Sequence, residues 1–120
     1  MNPAELRVGN YVYYADVLCK VEGYTSDGYL YTNGATAPVS SFQPAELTEE
    51  WLLNLGFKKE REHVFWHVNE KIIFTVINYS TPDEVIFRII VDERLISTKI
   101  KYVHHFQNIF FDLISEELML

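Results

Sequence analysis

The feature that most constrains the fold is a series of short segments, rich in β-branched and aromatic residues, in the first 43 positions. Segment 17–22 alternates apolar with mostly polar residues, which is typical of a strand buried on one face. Asp27-Gly28 and Asn33-Gly34 tolerate the positive φ of tight hairpin turns. The predicted strands are 8–14, 17–22, 29–31 and a fourth that contains Val39. Strands this short hide their edges by curling, so we predict a small SH3-like antiparallel β-barrel of the open kind.

The rest of the chain predicts a short helix, an antiparallel sheet and a C-terminal helix. Thr48 is a candidate N-cap followed by two glutamates, and Gly56 is placed to end the helix in the left-handed conformation. The predicted elements are a helix over 49–55, strands over 64–68, 72–79, 85–91 and 95–100 with a turn at Asn69-Glu70, and a helix over 102–114. The predicted class is therefore α+β. We expect a β subdomain over 1–43 and an α+β subdomain over 44–120, packed as one unit.

Two of the predicted strands are apolar on both faces. Segments 72–77 and 85–91 consist almost entirely of Ile, Val and Phe, without the polar alternation of a strand that has one face in water. Such strands are either covered on both sides or present one face to another chain. The pattern therefore predicts a protein partner, which includes the possibility of a homo-oligomer.

The charge of the chain argues against nucleic-acid binding. The formal net charge is −7, with 17 acidic and 10 basic residues. The first 56 residues hold two basic and seven acidic side chains, a net charge of −5. Non-specific nucleic-acid affinity needs clustered Lys and Arg, so we expect no direct nucleic-acid binding. The acidic surface keeps the protein soluble, attracts a basic partner, or imitates nucleic acid towards a DNA-binding protein.

Three further features predict a cytoplasmic protein. Cys19 is the single cysteine, so no intramolecular disulfide forms, and its place in an alternating segment predicts a buried, unreactive thiol. The first twenty residues lack a basic region followed by an apolar core, so we expect no signal peptide. The apolar runs are much shorter than the roughly 20 residues of a membrane span.

The histidines give the best case for an enzyme. His63 and His67 are four residues apart, which suits zinc on a helix, but the intervening residues favour a strand, where the two would stand roughly 13 Å apart. His104 and His105 are adjacent on a predicted helix, so we expect them to diverge by about 100°, one towards the sheet and one towards solvent. We predict no catalytic, cofactor-binding or metal-binding residue. The alternative is a small hydrolase or metal-dependent enzyme that uses His63, His67 or His104.

Tyrosines crowd the predicted barrel. On such barrels, exposed tyrosines can line a groove for an extended or proline-rich peptide, although tyrosine also favours strands for packing reasons. Trp51 and Trp66 lie among aliphatic residues and are predicted to be core residues. The candidate partner-binding residues are Tyr11, Tyr13, Tyr29 and Tyr31.

Three sequence blocks resemble a known family. The blocks are Glu5-Leu6-Arg7-Val8-Gly9-Asn10-Tyr11-Val12, Leu47-Thr48-Glu49-Glu50-Trp51-Leu52-Leu53 with Gly56-Phe57, and Lys101-Tyr102-Val103-His104 with Gln107-Asn108 and Glu116-Glu117-Leu118. They resemble, in the same order, a family of small uncharacterised proteins associated with phages and mobile elements of anaerobic gut bacteria. The family often has Gln in place of His105 and Gly in place of Ser115, so neither position is a catalytic candidate. The resemblance implies an origin but no reaction.

Two functions of different class follow from the sequence. The first is a non-enzymatic cytoplasmic protein-interaction module, an accessory protein of phage or mobile-element origin, which binds its partner through the tyrosines or the apolar sheet face. The second is the histidine-dependent enzyme. The first predicts binding without turnover, whereas the metal-dependent form of the second predicts stoichiometric metal in protein purified without chelators.

Overall fold

The computed structural model describes residues 3–69 and 72–120. Within these residues, two five-stranded antiparallel sheets and two α-helices form an α+β fold, so the predicted class is confirmed. The first sheet contains β1 (Tyr11–Tyr14), β2 (Val17–Tyr24), β3 (Tyr29–Thr32), β4 (Thr36–Pro38) and β5 (Phe42–Pro44). The second contains β6 (Lys58–Arg61), β7 (Val64–Asn69), β8 (Ile72–Asn78), β9 (Phe87–Val91) and β10 (Arg94–Ile100). The α-helices are α1 (Glu49–Asn54) and α2 (Val103–Ile114), and 3-10 turns cover Pro3–Glu5 and Val39–Ser41.

The first sheet is open and does not close into a barrel. Its order is β4-β3-β2-β1-β5, so the three-residue strands β4 and β5 form opposite edges. Val39 was predicted to lie in a strand, but it belongs to the 3-10 turn that connects these two edges. Its amide donates to the carbonyl of Gly28, the residue before β3. Short edge strands limit pairing with other chains, which is a second way to protect the edges of a small sheet.

One face of the first sheet carries its own apolar core. The period of two in β2 places Cys19 and Val21 on this face, as the alternation predicted, and Cys19 is buried. Gly28 adopts a φ of 89° in the turn before β3, where a residue with a side chain would be strained. The buried members of this core are Leu6, Val12, Cys19, Val21, Leu30, Ala37 and Phe42.

The first helix begins and ends as the sequence predicted. The hydroxyl of Thr48 accepts a hydrogen bond from the amide of Trp51 at 3.1 Å, which is an N-cap. Gly56 has a φ of 96°, its amide donates to the carbonyl of Leu53, and the amide of Phe57 donates to the carbonyl of Leu52. These two bonds are a Schellman motif, which satisfies carbonyls at the helix end. Local signals therefore set both ends of α1.

The second sheet packs one face against α2. Its order is β10-β9-β8-β7-β6, and its buried side chains form one cluster with those of α2. Phe57, Phe74, Phe106 and Phe110 contact one another with ring centroids 5.0 to 6.0 Å apart. Strand β6 was not predicted, and its four residues are all exposed. The predicted turn at Asn69-Glu70 lies partly outside the described residues.

The other face of the second sheet is open. Trp66, Thr75, Ile90 and Leu95 are aligned across four strands on this face, and Trp66 is half-buried, contrary to its predicted core position. Ile73 on the same face is about half exposed. Within the described residues, other parts of the chain therefore do not cover this face, although the strands are apolar on both faces.

The two sheets share a core. Tyr11 from β1 and Ala45 belong to the same buried cluster as α2 and the second sheet. Ala45 accepts a hydrogen bond from the amide of Val103, and Leu47 donates its amide to the carbonyl of Lys101. The division into 1–43 and 44–120 stays a prediction. In the part of the chain that the structure describes, no helix combines the length and apolar content that crossing a membrane requires.

Candidate functional site

A buried glutamine joins the first sheet to α2. The side chain of Gln107 is fully buried. Its Oε1 accepts a hydrogen bond from the amide of Tyr11 at 3.0 Å, and its Nε2 donates to the carbonyls of Gly9 and Leu118, each at 3.0 Å. One side chain therefore satisfies three backbone groups, two from Gly9 and Tyr11 at the start of β1 and one from Leu118 after α2, as burial of those groups requires.

A second layer of polar contacts surrounds Gln107. The Nδ2 of Asn10 donates to the Oδ1 of Asn108 at 2.9 Å, and the Nδ2 of Asn108 donates to the carbonyl of Glu5 at 2.7 Å. Arg7 forms an ion pair with Glu117 at 2.7 Å. The first and third sequence blocks meet in this network. Its polar residues therefore have a structural role that neither block reveals alone.

A groove lies between the β1–β2 hairpin and α1. Its volume is about 440 Å³. Tyr13 and Leu18, which are paired across β1 and β2, line one side. Glu50 and Trp51 of α1 line another side. The complete lining is Tyr13, Leu18, Glu46, Thr48, Glu50, Trp51, Asn54 and Leu120. The groove thus combines two carboxylates with two aromatic rings.

Local structure fixes the groove residues. The N-cap at Thr48 sets the first turn of α1, which carries Glu50 and Trp51. The ring of Trp51 packs against Tyr11 with centroids 5.7 Å apart. Glu46 is held by a bridge to Tyr102, the residue before α2. Trp51 was predicted to be a core residue, but it is only half-buried because one side of it faces the groove.

The structure separates the four candidate tyrosines. Tyr11 is 7% exposed and its hydroxyl accepts a hydrogen bond from the amide of Leu120, so it is a core residue and is removed from the partner-binding set. Tyr13 lines the groove. Tyr29 and Tyr31 are exposed on the outward face of β3, and β2 lies between them and β1. The four residues therefore do not form one surface.

His63, His67 and His104 have separate surroundings. His63 lies in the turn before β7, and its Nδ1 is 2.7 Å from the Oε2 of Glu49. Asn78 donates to the same carboxylate oxygen at 2.8 Å. His67 packs against the rings of Phe57 and Phe110, and within the described part of the chain its buried Nδ1 has no hydrogen-bond partner. Among residues 3–69 and 72–120, these three histidines do not form a group that could hold one metal ion.

His104 and His105 come together, contrary to the sequence prediction. The two side chains leave the helix in different directions, but their ring centroids are only 4.3 Å apart. The Nε2 of His105 lies 3.2 Å from the Oε2 of Glu5, and the Nε2 of His104 lies 3.5 Å from the same oxygen. As predicted, one imidazole is buried and the other is partly exposed. The angle of about 100° between neighbouring residues on a helix describes the directions of their Cβ atoms. The imidazole side chain is long enough for both rings to reach a carboxylate placed between them.

The fold lowers the pKa values of both His104 and Glu5, for different reasons. Burial lowers the pKa of His104 to about 4, with a further lowering by the neighbouring charge of His105, so the ring is neutral at pH 7. Hydrogen bonding by His105 is the largest effect on Glu5 and lowers the pKa of its carboxyl. At neutral pH, Glu5 is therefore a carboxylate beside a neutral, buried imidazole.

Comparison with known proteins adds no function. No protein-family model, curated protein or solved structure matches the chain.

Proposed function

We propose that the chain is a non-enzymatic cytoplasmic interaction module that binds a basic segment of a protein partner in the groove between the β1–β2 hairpin and α1. The observation that carries the proposal is the placement of Glu46 and Glu50 beside Tyr13 and Trp51. The sequence resemblance makes a host or phage protein the class of partner that we propose.

The chemistry of the groove selects a cation with an apolar stem. Lys and Arg carry a charged head that pairs with carboxylates, on a stem that packs against aromatic and aliphatic surface. The faces of Tyr13 and Trp51 attract such cations, and Leu18 and Leu120 offer apolar contact. The volume of about 440 Å³ lies within the range of sites for small ligands, so it suits one or two side chains of a peptide.

The charge of the chain supports the same partner. The net charge of −7 attracts a basic segment at long range, and the groove supplies two acidic side chains where that segment would dock. Imitation of nucleic acid is the competing use of an acidic surface. It would spread the contacts over many carboxylates and would not depend on the aromatic rings of one groove.

The SH3-like classification of the first sheet belongs to this proposal. The strand order has β1 between β2 and β5, a meander from β2 to β4 and a 3-10 turn before β5. These features favour an SH3-like module, and modules of that class bind extended peptides on their aromatic residues.

The test is binding of a short arginine-rich peptide, compared with the same peptide in which glutamate replaces arginine. Trp51 serves as the fluorescent reporter in a Trp66→Phe background, since the chain has two tryptophans. We expect the Glu46→Gln, Glu50→Gln double variant to weaken binding of the basic peptide about fivefold to tenfold, from the loss of two partly exposed ion pairs. A Glu22→Gln, Glu116→Gln double variant makes the same change in net charge outside the groove.

A matched pair of tyrosine variants locates the surface. We expect Tyr13→Leu to weaken binding and Tyr31→Leu, on the exposed face of β3, to leave it unchanged. Equal losses in both double glutamate variants, with a steep salt dependence and no effect of Tyr13→Leu, would contradict the groove and favour nucleic-acid imitation. Weaker peptide binding by the Tyr31→Leu variant alone would also contradict the groove and would place the binding surface on β3.

A further inference from the structure

Glu5, His104 and His105 are the strongest candidate for a site that the interaction proposal does not use. Among the described residues, they are the one group of three or more His, Cys, Asp or Glu side chains close enough to share an ion. Glu5 comes from the 3-10 turn before β1, and the two histidines come from the first turn of α2. We propose that these three side chains bind a divalent transition-metal ion, Zn²⁺ in preference to the hard cations.

The distances between the ligand atoms match those around zinc. Tetrahedral zinc with ligands at roughly 2.0 to 2.1 Å holds neighbouring ligand atoms about 3.3 Å apart. The Oε2 of Glu5 lies 3.2 Å from the Nε2 of His105 and 3.5 Å from the Nε2 of His104. All three ligand atoms lie within 4.8 Å of one another. Small side-chain adjustments therefore suffice to bring them around one ion.

The buried imidazole of His104 provides a second, independent observation. Its side chain is 1% exposed, and neither ring nitrogen has a hydrogen-bond partner among the described residues. Burial of a polar atom without a partner is costly, and few such atoms occur in folded proteins. The Nε2 of His104 points towards the carboxylate of Glu5 but does not form a hydrogen bond with it. A metal ion between these atoms supplies the missing partner of Nε2.

The ligands are positioned before any ion binds. The side chain of Asn108 donates to the backbone carbonyl of Glu5 at 2.7 Å, which fixes the turn that carries the carboxylate. The ring of Tyr102 stacks on His104 with an interplanar angle of 14° and limits its rotation. Contacts of this kind, one shell outside the ligands, orient the ligands in metal sites and raise their affinity.

The local charge and the donor types select the ion. Arg7 is nearby, but its charge is paired with Glu117 at 2.7 Å. Two imidazole nitrogens favour zinc over calcium and magnesium, which take oxygen ligands. Glu5 and His105 also line a groove of about 430 Å³, together with Asn108 and Asp112, so a fourth ligand such as water has access. Three protein ligands and one open position are a common arrangement for zinc.

The test is titration of the chelator-treated protein with Zn²⁺ by calorimetry, and with Co²⁺ by absorption spectroscopy. We expect one ion per chain and the intense visible absorption of tetrahedral Co²⁺. The binding variants are Glu5→Gln and His105→Ala, because both side chains are partly exposed and their replacement leaves the core intact. Loss of an outer contact in a metal site weakens binding about tenfold to a hundredfold, so loss of a ligand should weaken it at least tenfold.

The matched control is His63→Ala. His63 also lies between two carboxylates, but it contacts Glu49 through Nδ1 and Glu62 through Nε2, so it cannot direct one nitrogen at both. We expect this variant to keep the wild-type affinity for Zn²⁺. The proposal is overturned if Glu5→Gln and His105→Ala bind Zn²⁺ as tightly as wild type, if His63→Ala abolishes binding, or if Co²⁺ gives only the weak spectrum of an octahedral aqua complex. None of these outcomes depends on the peptide groove.

Discussion

The clearest quantitative prediction concerns Gln107. Replacement by Leu keeps the approximate size of the side chain but removes its amide. The amide of Tyr11 then loses its acceptor, and the carbonyls of Gly9 and Leu118 lose a donor. All three groups face a side chain that has no access to water, so water cannot replace the lost bonds.

The magnitude follows from these three groups. Each buried backbone group left without a partner costs roughly 1 to 3 kcal/mol, and the added apolar surface of Leu offsets part of the total. We expect Gln107→Leu to lower the free energy of unfolding by about 3 kcal/mol. Such a loss corresponds to a decrease in Tm of about 12 °C for a domain of this size. It is a large part of the roughly 5 to 15 kcal/mol that stabilises an ordinary domain.

The assay is urea unfolding followed by tryptophan fluorescence, with thermal unfolding by circular dichroism as a second measurement. Gln43→Leu is the matched control, because Gln43 is exposed on the edge strand β5 and should change stability by no more than about 0.5 kcal/mol. A Gln107→Leu variant that loses less than about 1 kcal/mol, or no more than the control, would refute the reasoning. The hydrogen bonds of Gln107 would then contribute no more to stability than contacts at the protein surface.

Two further predictions test the helix end and the cluster around Glu49. Gly56→Ala should lower the free energy of unfolding by about 1 kcal/mol, since φ is 96° there. Gly23→Ala should lower it by less, because its φ is not positive and no atom of the described residues lies within 4 Å of the added Cβ. Equal losses in urea unfolding would contradict this expectation. Burial raises the pKa of Glu49, but the hydrogen bonds with His63 and Asn78 lower it by more. The pKa of this carboxyl therefore lies below its ordinary value of 4.5. The ionised form of Glu49 therefore contributes stability above the unfolded pKa, and this contribution disappears as the pH falls through the folded pKa. Glu49→Gln should lower the free energy of unfolding by about 0.5 kcal/mol at pH 7 and by progressively less below about pH 4.5. A loss of stability that does not change with pH would contradict the lowered pKa of Glu49.

Elements with local signals were predicted well from the sequence. The ends of α1 depend on Thr48 and Gly56, which act within one turn, and both are confirmed. Strand β6 was missed because its residues Lys58–Arg61 are all exposed and charged, so they show no apolar alternation. Its charged side chains suit an edge strand, which must avoid pairing with other chains. The SH3-like form of the first sheet stays a prediction, because very short edge strands also protect an open sheet and give the same sequence pattern.

The candidate sites were not predictable from local patterns. The groove brings Tyr13 next to Glu46 and Glu50, which requires the packing of α1 against the first sheet. Glu5 meets His104 and His105 across about a hundred positions, and only the tertiary structure places the carboxylate between the two rings. The sequence prediction considered the histidines only with each other, and so it discarded the pair that the fold brings together. The origin implied by the sequence resemblance stays a prediction.

The contacts of Gln107 also determine when the protein can finish folding. They join positions 96 and 98 residues apart, so the amide of Tyr11 has no partner until the helix near the other end of the chain has been synthesised. During translation the first sheet is complete at Pro44 with one of its faces exposed, and 63 more residues must follow before Gln107 is reached. Completion of this core therefore waits for α2, and a nascent chain stopped before Gln107 would expose the apolar side chains that α2 covers.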